Sequence, residues 1–391
     1  MNKASLFLLV LLAGCSVGER LLDDVRAEPA TAHERYARAL TDAGLDSTAL
    51  GAEWLAASDS ALRAPLAAPL PAREVGAYTR NEARAVAHRV SLRRGQQLQA
   101  TVRVTGLPAR LYLDVFEVTT DTARPFVHRA TADTLVVRDS TGFTITLAYE
   151  ADDDGDFVVR LQPELLRSGR YELTLESAPG MLFPVQGSSN RAIQSLFGVE
   201  RDGGRRAHHG IDIFAPRGTP VLAATDGVVR SISPNNLGGN VVWLLDERRR
   251  QSLYYAHLES HYVVAGQRVN AGDTLGFVGN SGNARTTAPH LHFGIYKRGR
   301  GPVDPLWFVR LPTADPPRVL ADTTRLGSAA VTRLAGVTLR EGPGTNSPAV
   351  RELPRDTPLQ IMGATSQWYR VQFEDGTTGY LAAGAVRSVE E

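Results

Sequence analysis

His208-His209-Gly210-Ile211-Asp212 opens, and His290-Leu291-His292-Phe293 closes, the stretch on which the reading of this chain turns. Between them lie Tyr255-Ala256-His257-Leu258 and a ladder of short apolar runs separated by glycines, so histidines gather where the pattern otherwise reads as sheet. In extended chain, residues i, i+2 and i+4 share a face. With Ile211 and Ile213 at alternate apolar positions, a strand over 210–214 puts His208 and Asp212 on one face, and Gly210 between them leaves room for a metal ion. The same rule puts His290 and His292 together, with Leu291 and Phe293 turned to a core. Donors of the types His, Asp and His suit Zn²⁺ in a site whose fourth tetrahedral position is left to water, as in catalytic zinc centres. A structural zinc site takes four protein ligands, commonly thiolates, and Cys15 is the only cysteine in the chain.

The 391 residues, with 43% hydrophobic content, suffice for two or three domains with their own cores. A formal net charge of +1 gives no long-range field of one sign, which argues against nucleic acid as a partner. Lys3 precedes an apolar run, Leu6 to Leu12, that is far shorter than the roughly 20 residues of a membrane-spanning helix but right for a secretory signal. Leu12-Ala13-Gly14-Cys15 resembles the lipobox of bacterial lipoproteins, which implies a signal peptide over 1–14 and lipidation at Cys15. Ser16 after it, by the same resemblance, favours the outer membrane, with the protein anchored there and facing the periplasm. A lone cysteine excludes an intrachain disulfide.

Residues 15–74 read as a helical segment and linker. Tyr36, Leu40 and Ala43, then Trp54, Leu55 and Leu62, recur at helical spacings, Gly44 suits the end of the first helix, and Asp46 or Ser47 the cap of the second. Prolines at 65, 69 and 71 make 64–72 a linker. Over 75–180 the period changes to two, as in Leu98, Ala100, Val102 and Val104, with turn signals at the spacing of an antiparallel β-sandwich. Asp152-Asp153-Asp154-Gly155-Asp156 lacks the spaced ligands of a calcium loop and reads as a hairpin turn. The histidine-rich domain takes 181–310, a linker 311–329, and a small β-domain 330–391. Val337-Thr338-Leu339-Arg340-Glu341-Gly342-Pro343-Gly344, Trp368-Tyr369-Arg370-Val371 and Gly379-Tyr380-Leu381 in that last region resemble the bacterial SH3-type barrel. Its Trp368, Tyr369 and Tyr380 either line a ligand groove or fill a small core. The fold class is therefore mainly β.

Four elements in order, His208-x-x-x-Asp212, the glycine-rich ladder, Tyr255-Ala256-His257-Leu258 and His290-Leu291-His292, stand beside Ala215-Pro216-Arg217-Gly218-Thr219-Pro220-Val221, Ser281-Gly282-Asn283 and Val303-Asp304-Pro305. Together they resemble the lysostaphin/LytM family of zinc endopeptidases, which adopt a β-sheet barrel-sandwich fold and cut the peptide cross-links of peptidoglycan. The resemblance implies His208, Asp212 and His292 as zinc ligands and His257 and His290 as the catalytic pair. No His-Glu-x-x-His helix supplies a glutamate base, so one of these two histidines would receive a proton from water and the other would stabilise the oxyanion or protonate the leaving amine. His209 falls at a variable position and His261 outside the motif; both are expected at the surface. A lipoyl- or biotinyl-carrier reading fails because the region's only lysine, Lys297, lies beyond the last histidine. Two alternatives are a non-catalytic activator of another cell-wall hydrolase, with a cell-wall amidase as a possible partner, and a wall-binding scaffold built on the SH3-like domain. The bond cut is left open, because specificity would reside in loops such as 233–239 and 285–289.

Overall fold

A computed structural model describes residues 30–106, 109–133, 142–201 and 203–389. Cys15 and the signal segment lie outside the described residues.

Two helices come first, Ala32–Asp42 and Ala49–Arg63. Thr31 and Glu34 form a reciprocal capping box at the start of the first, satisfying two amide groups that a helix start leaves unpaired. Gly44 takes a left-handed φ of 69° after it. The second helix is capped by Thr48, whose Oγ1 accepts from the Gly51 amide at 3.2 Å, not by Asp46 or Ser47, which lie in a single 3₁₀ turn. Trp54 anchors the pair to the sandwich: it is fully buried against Tyr36 and Tyr112, and its indole donates to the Pro163 carbonyl at 2.8 Å.

Two sheets follow. One has five strands, with Gly155–Pro163 at its centre between Val86–Leu92 and Leu111–Val118. The facing layer contains Ala72–Tyr78, Gly169–Pro179, Gln96–Gly106 and Phe143–Glu150. Leu98, Ala100 and Val102, at alternate positions of one strand, are all fully buried between the layers, as two-residue periodicity requires. The stretch 64–72, with its three prolines, is not free chain: Leu66–Ala67 pairs in parallel with His88 and Arg89.

The second layer does not end at the sandwich. Val75 and Gly76 pair with Ala364 and Gly363, so the C-terminal strands Pro358–Thr365, Trp368–Gln372 and Thr378–Ala382 extend it into a sheet of eleven strands rather than closing a separate barrel. Tyr369 and Tyr380 are buried there, and the half-buried Trp368 lines a cavity at the junction. Glu74 crosses the same junction, within 3.1 Å of Arg370 Nε and accepting from the hydroxyls of Tyr171 and Tyr380.

The histidine-rich region forms a ten-stranded sheet in which Ile211–Phe214, His290–Lys297, Gln251–His261, Asn240–Asp246 and Gly227–Ile232 lie side by side in that order. Leu291, Phe293, Ile211 and Ile213 are fully buried in its core; each such side chain contributes about 1.5–3 kcal/mol, which fixes the strand register. Arg249 locks this domain to the sandwich, donating to both Glu150 oxygens at 2.6 and 2.8 Å, to Asp246 at 3.0 Å and to the Gly180 carbonyl at 2.6 Å. The Asp152–Asp156 turn adds to the lock: Asp153 pairs with Arg94 and Arg300, Asp154 with Arg93, and Lys297 approaches Asp152 at 3.6 Å. Three of its carboxylates are thus matched to basic side chains.

Candidate metal centre

Strand register brings distant residues into one row. Asp212 pairs directly with His292, and His292 on its other side with Ala256, next to His257. Alternation then sends His290 and His292 to the face opposite Leu291 and Phe293. His208 lies just before the strand and still closes on the same point. Its Nε2 is 3.0 Å from Asp212 Oδ1 and 2.9 Å from His292 Nδ1, and His292 Nδ1 is 3.0 Å from the same carboxylate oxygen. Gly210 is required here, because a Cβ at that position would sit 2.7 Å from the His292 ring and 2.5 Å from the Phe293 carbonyl.

The proton positions follow from the outer hydrogen bonds. A carbonyl only accepts, so His208, with Nδ1 2.8 Å from the Leu196 carbonyl, carries its proton on Nδ1 and leaves Nε2 bare in the neutral ring. That bare nitrogen faces a carboxylate oxygen and the His292 ring nitrogen, an arrangement that a cation between them would satisfy. Tetrahedral ligation at about 2.0–2.1 Å separates ligand atoms by about 3.3 Å; the edges of this triangle are 2.9–3.0 Å. The residues present therefore fit a small divalent ion. Burial pushes the Asp212 carboxyl up, but with no cation bound, hydrogen bonds and charge from the two histidines, when they carry the protons, more than offset it and hold the group well below the usual carboxylate range. Burial also lowers His292 despite the carboxylate beside it, favouring the neutral form that ligates.

His257 and His290 stand beside this triangle. Their ring centres are 5.0 Å apart, and His257 is 5.9 Å from His292. Each directs Nδ1 to a carbonyl at 2.9 Å, His257 to that of Ser281 and His290 to that of Ala288, so each presents a bare Nε2. Burial, and then the neighbouring His290 and His292, push His257 down to about 4. Its backbone takes a φ of 61°, which costs a non-glycine residue of order 1–3 kcal/mol and sits where the strand register shifts. The amide of His257 donates to the Gly238 carbonyl at 2.7 Å, which holds the bend. His209 and His261 are both exposed.

Sequence reasoning missed four residues here. Arg201 donates to Asp212 Oδ2 at 2.8 Å and to Ser195 Oγ at 2.5 Å, binding the carboxylate oxygen that the histidines leave free. Trp243, Tyr254 and Tyr296 form an aromatic wall along the same groove, with ring centres 4.5 to 6.3 Å apart. Each of the last three stands at a position that alternates with buried apolar neighbours on its own strand, which was the signal available; a lone arginine in a loop gives none.

Residues 206–305 match peptidase family M23, and residues 335–387 match the bacterial SH3 domain. Peptidoglycan DD-endopeptidase ShyC of Vibrio cholerae is 40% identical over 122 residues, covering 28% of this chain and 27% of that protein. L-Ala--D-Glu endopeptidase of Bacillus subtilis is 37% identical over 123 residues, covering 29% of this chain and 37% of that one. The catalytic domain of the antimicrobial peptidase lysostaphin from Staphylococcus simulans is 32% identical, covers 28% of this chain and 86% of that one, and has a TM-score of 0.26. The chain thus spans well under half of the length of these two relatives. This chain contains a peptidase family M23 domain, in which the cluster lies, and a bacterial SH3 domain after it.

Proposed function

We propose that this protein is a zinc-dependent endopeptidase that hydrolyses peptide cross-links of bacterial peptidoglycan. The observation that carries the reading is the triangle of His208 Nε2, Asp212 Oδ1 and His292 Nδ1, with edges of 2.9–3.0 Å and two further imidazole nitrogens turned toward it. His208, Asp212 and His292 would hold the ion. Zn²⁺ so held supplies Lewis acidity and makes hydroxide available near neutral pH. His257, neutral at pH 7 and with a bare Nε2, accepts the proton of water and returns that proton to the leaving amine; His290, held through Nδ1 by the Ala288 carbonyl, would stabilise the oxyanion when its Nε2 also carries a proton. Arg201 holds Asp212 in place through its Oδ2. The aromatic wall lies along the peptide path.

The family assignment of the domain and the names of its relatives support peptidoglycan as the polymer. The SH3 domain supports retention on the wall. The two named relatives cut different bonds, so kinship leaves the scissile bond open. All five site positions are filled, which supports catalysis over the activator of an amidase. Lipidation at Cys15 would place the enzyme on the outer membrane facing the periplasm; mass spectrometry of the mature amino terminus tests it, and an unmodified Cys15 contradicts it. The catalytic reading is tested by digesting purified sacculi with and without a strong chelator. Release of cleaved muropeptides that the chelator abolishes is expected. Stoichiometric metal with no cleavage of any cross-link contradicts it, and stimulation of an added amidase would then restore the activator.

A further inference from the structure

The groove does not stop at the histidines. From His292 the aromatic contacts run on through Tyr254 at 5.8 Å, Trp243 and Tyr296. Trp243 and Tyr296 also line a second depression of about 710 Å³ on the same face of the sheet, whose rim carries Arg230, Arg250 and Arg298. Arg250 and Arg298 sit in two adjacent hairpin turns held together by the Arg298 amide, which donates to the Arg250 carbonyl at 3.3 Å. Among the described residues, no hydrogen bond, ion pair or ring contact engages the guanidinium of Arg230, Arg250 or Arg298. This contrasts with Arg201, Arg249 and Arg300 in the same domain, whose side chains all meet carboxylates. The one acidic residue of the rim, Glu247, reaches outward to Arg268 at 4.0 Å.

A second observation concerns continuity. Trp243 and Tyr296 line this depression and the histidine groove alike, so one extended ligand reaches both. A peptide lying along the groove brings its own carboxylates to the arginines; a phosphate polymer has the charge but no bond to place at the histidines.

We infer that this depression is a distal subsite that holds a carboxylate of the same peptide whose bond lies at the histidine cluster. At about 3.4 Å per residue, the run from His292 to Lys297 spans roughly 17 Å, so an extended peptide of about five residues joins the two. Guanidinium forks hold the carboxylate, and the aromatic wall supports the segment between. The subsite selects cross-links whose carboxylates are free over those in which they are amidated.

The inference rests on the hydrolase reading, and the test separates the two. Full-length, metal-loaded protein and its Arg230→Glu/Arg298→Glu variant are compared on synthetic cross-linked muropeptide dimers with free or amidated carboxylates. Binding is measured by calorimetry on the metal-free protein, and cleavage by chromatography on the loaded one. For the free-acid dimer we expect KM and Kd to rise about tenfold in the variant with kcat within about twofold, and recovery in Arg230→Lys/Arg298→Lys. The amidated dimer should bind both proteins alike. Equal Kd for the two dimers in the wild type, or an equal loss on both in the variant, overturns the subsite. Loss of binding only to vesicles of anionic phospholipid would overturn it too, in favour of a surface that meets membranes. If the wild type binds the free-acid dimer in a charge-dependent way but cleaves nothing, the hydrolase reading fails and the subsite stands.

Discussion

Two buried polar clusters in this molecule look alike on paper and differ in kind. At the junction of the sandwich and the SH3 domain, Glu74 is 4% exposed, and its carboxylate is answered by Arg370 and by the hydroxyls of Tyr171 and Tyr380. Burial pushes this carboxyl up, but Arg370 and His88 more than offset it, and it lies below the ordinary range. Arg370 and both tyrosine hydroxyls have acceptors there, although the buried His88, 3.8 Å from Glu74, keeps both ring nitrogens without a hydrogen-bond partner; such a buried ion pair holds two elements in register. In the peptidase domain, His208 Nε2, Asp212 Oδ1 and His292 Nδ1 converge on one point within 2.9–3.0 Å of one another. The Glu74 carboxylate is answered without a ligand; the donor atoms of the second cluster are set as a cation would need them. A self-satisfied cluster reads as structure and an unsatisfied convergent one as function.

Removing a member of the open cluster has the largest expected effect. His292→Ala should abolish both metal retention and cleavage of sacculi while leaving the denaturation midpoint of the metal-free protein nearly unchanged, as followed by elemental analysis, zymography and urea unfolding. A variant that keeps its metal would place the ion elsewhere. Next comes His257→Ala, which should reduce kcat by about 10²–10⁴ with metal content intact, because proton transfer is lost and ligation is not. Loss of metal instead would make His257 a ligand.

The closed cluster should respond in the opposite way. Arg370→Met strands a buried carboxylate and should destabilise the junction by about 3–5 kcal/mol, with zinc affinity unaltered; adding Glu74→Leu should recover much of that loss. Denaturant titrations of the three proteins check this, and a double variant no better than the single would sink the comparison. Linkage gives the matching pH test. The folded pKa of Glu74 is depressed, so its contribution is fully present above the unfolded value of about 4.3 and is lost as pH falls through the folded one. The wild type should thus lose stability in acid more steeply than Glu74→Gln.

The smallest effect is expected at the Asp152–Asp156 turn, where Asp153 is about half exposed and paired with Arg94 and Arg300. Asp153→Asn should cost no more than about 1 kcal/mol, and millimolar calcium should leave thermal unfolding unmoved. A calcium-dependent rise in Tm would restore the ion-binding reading that the arginines displace.

Legibility followed the range of the interaction. Alternation at Ile211, Ile213, Leu291 and Phe293 announced strands and their buried face, because side-chain period is a local property. The gathering of His208, Asp212, His257, His290 and His292 was legible from spacing and resemblance together. Arg201 was not, since its hydrogen bond to Asp212 depends on how a short hairpin folds over the sheet. Thr48 displaced the expected cap because one 3₁₀ turn shifts a helix start without changing its apolar pattern. The pairing of Val75 with Ala364 joins strands far apart in the chain, and no local pattern encodes such a partner. The distal arginines, too, become a group only when two hairpin turns meet.

The central claim is that the open cluster is a catalytic zinc site. Its most direct test is a single titration: Zn²⁺ added back to chelator-stripped full-length protein, with bound metal and release of cleaved muropeptides from sacculi followed in the same samples. The account predicts that cleavage rises in proportion to occupancy, saturates at one ion per chain, and is absent from His292→Ala. Full occupancy without cleavage, or cleavage by the stripped protein, would contradict it.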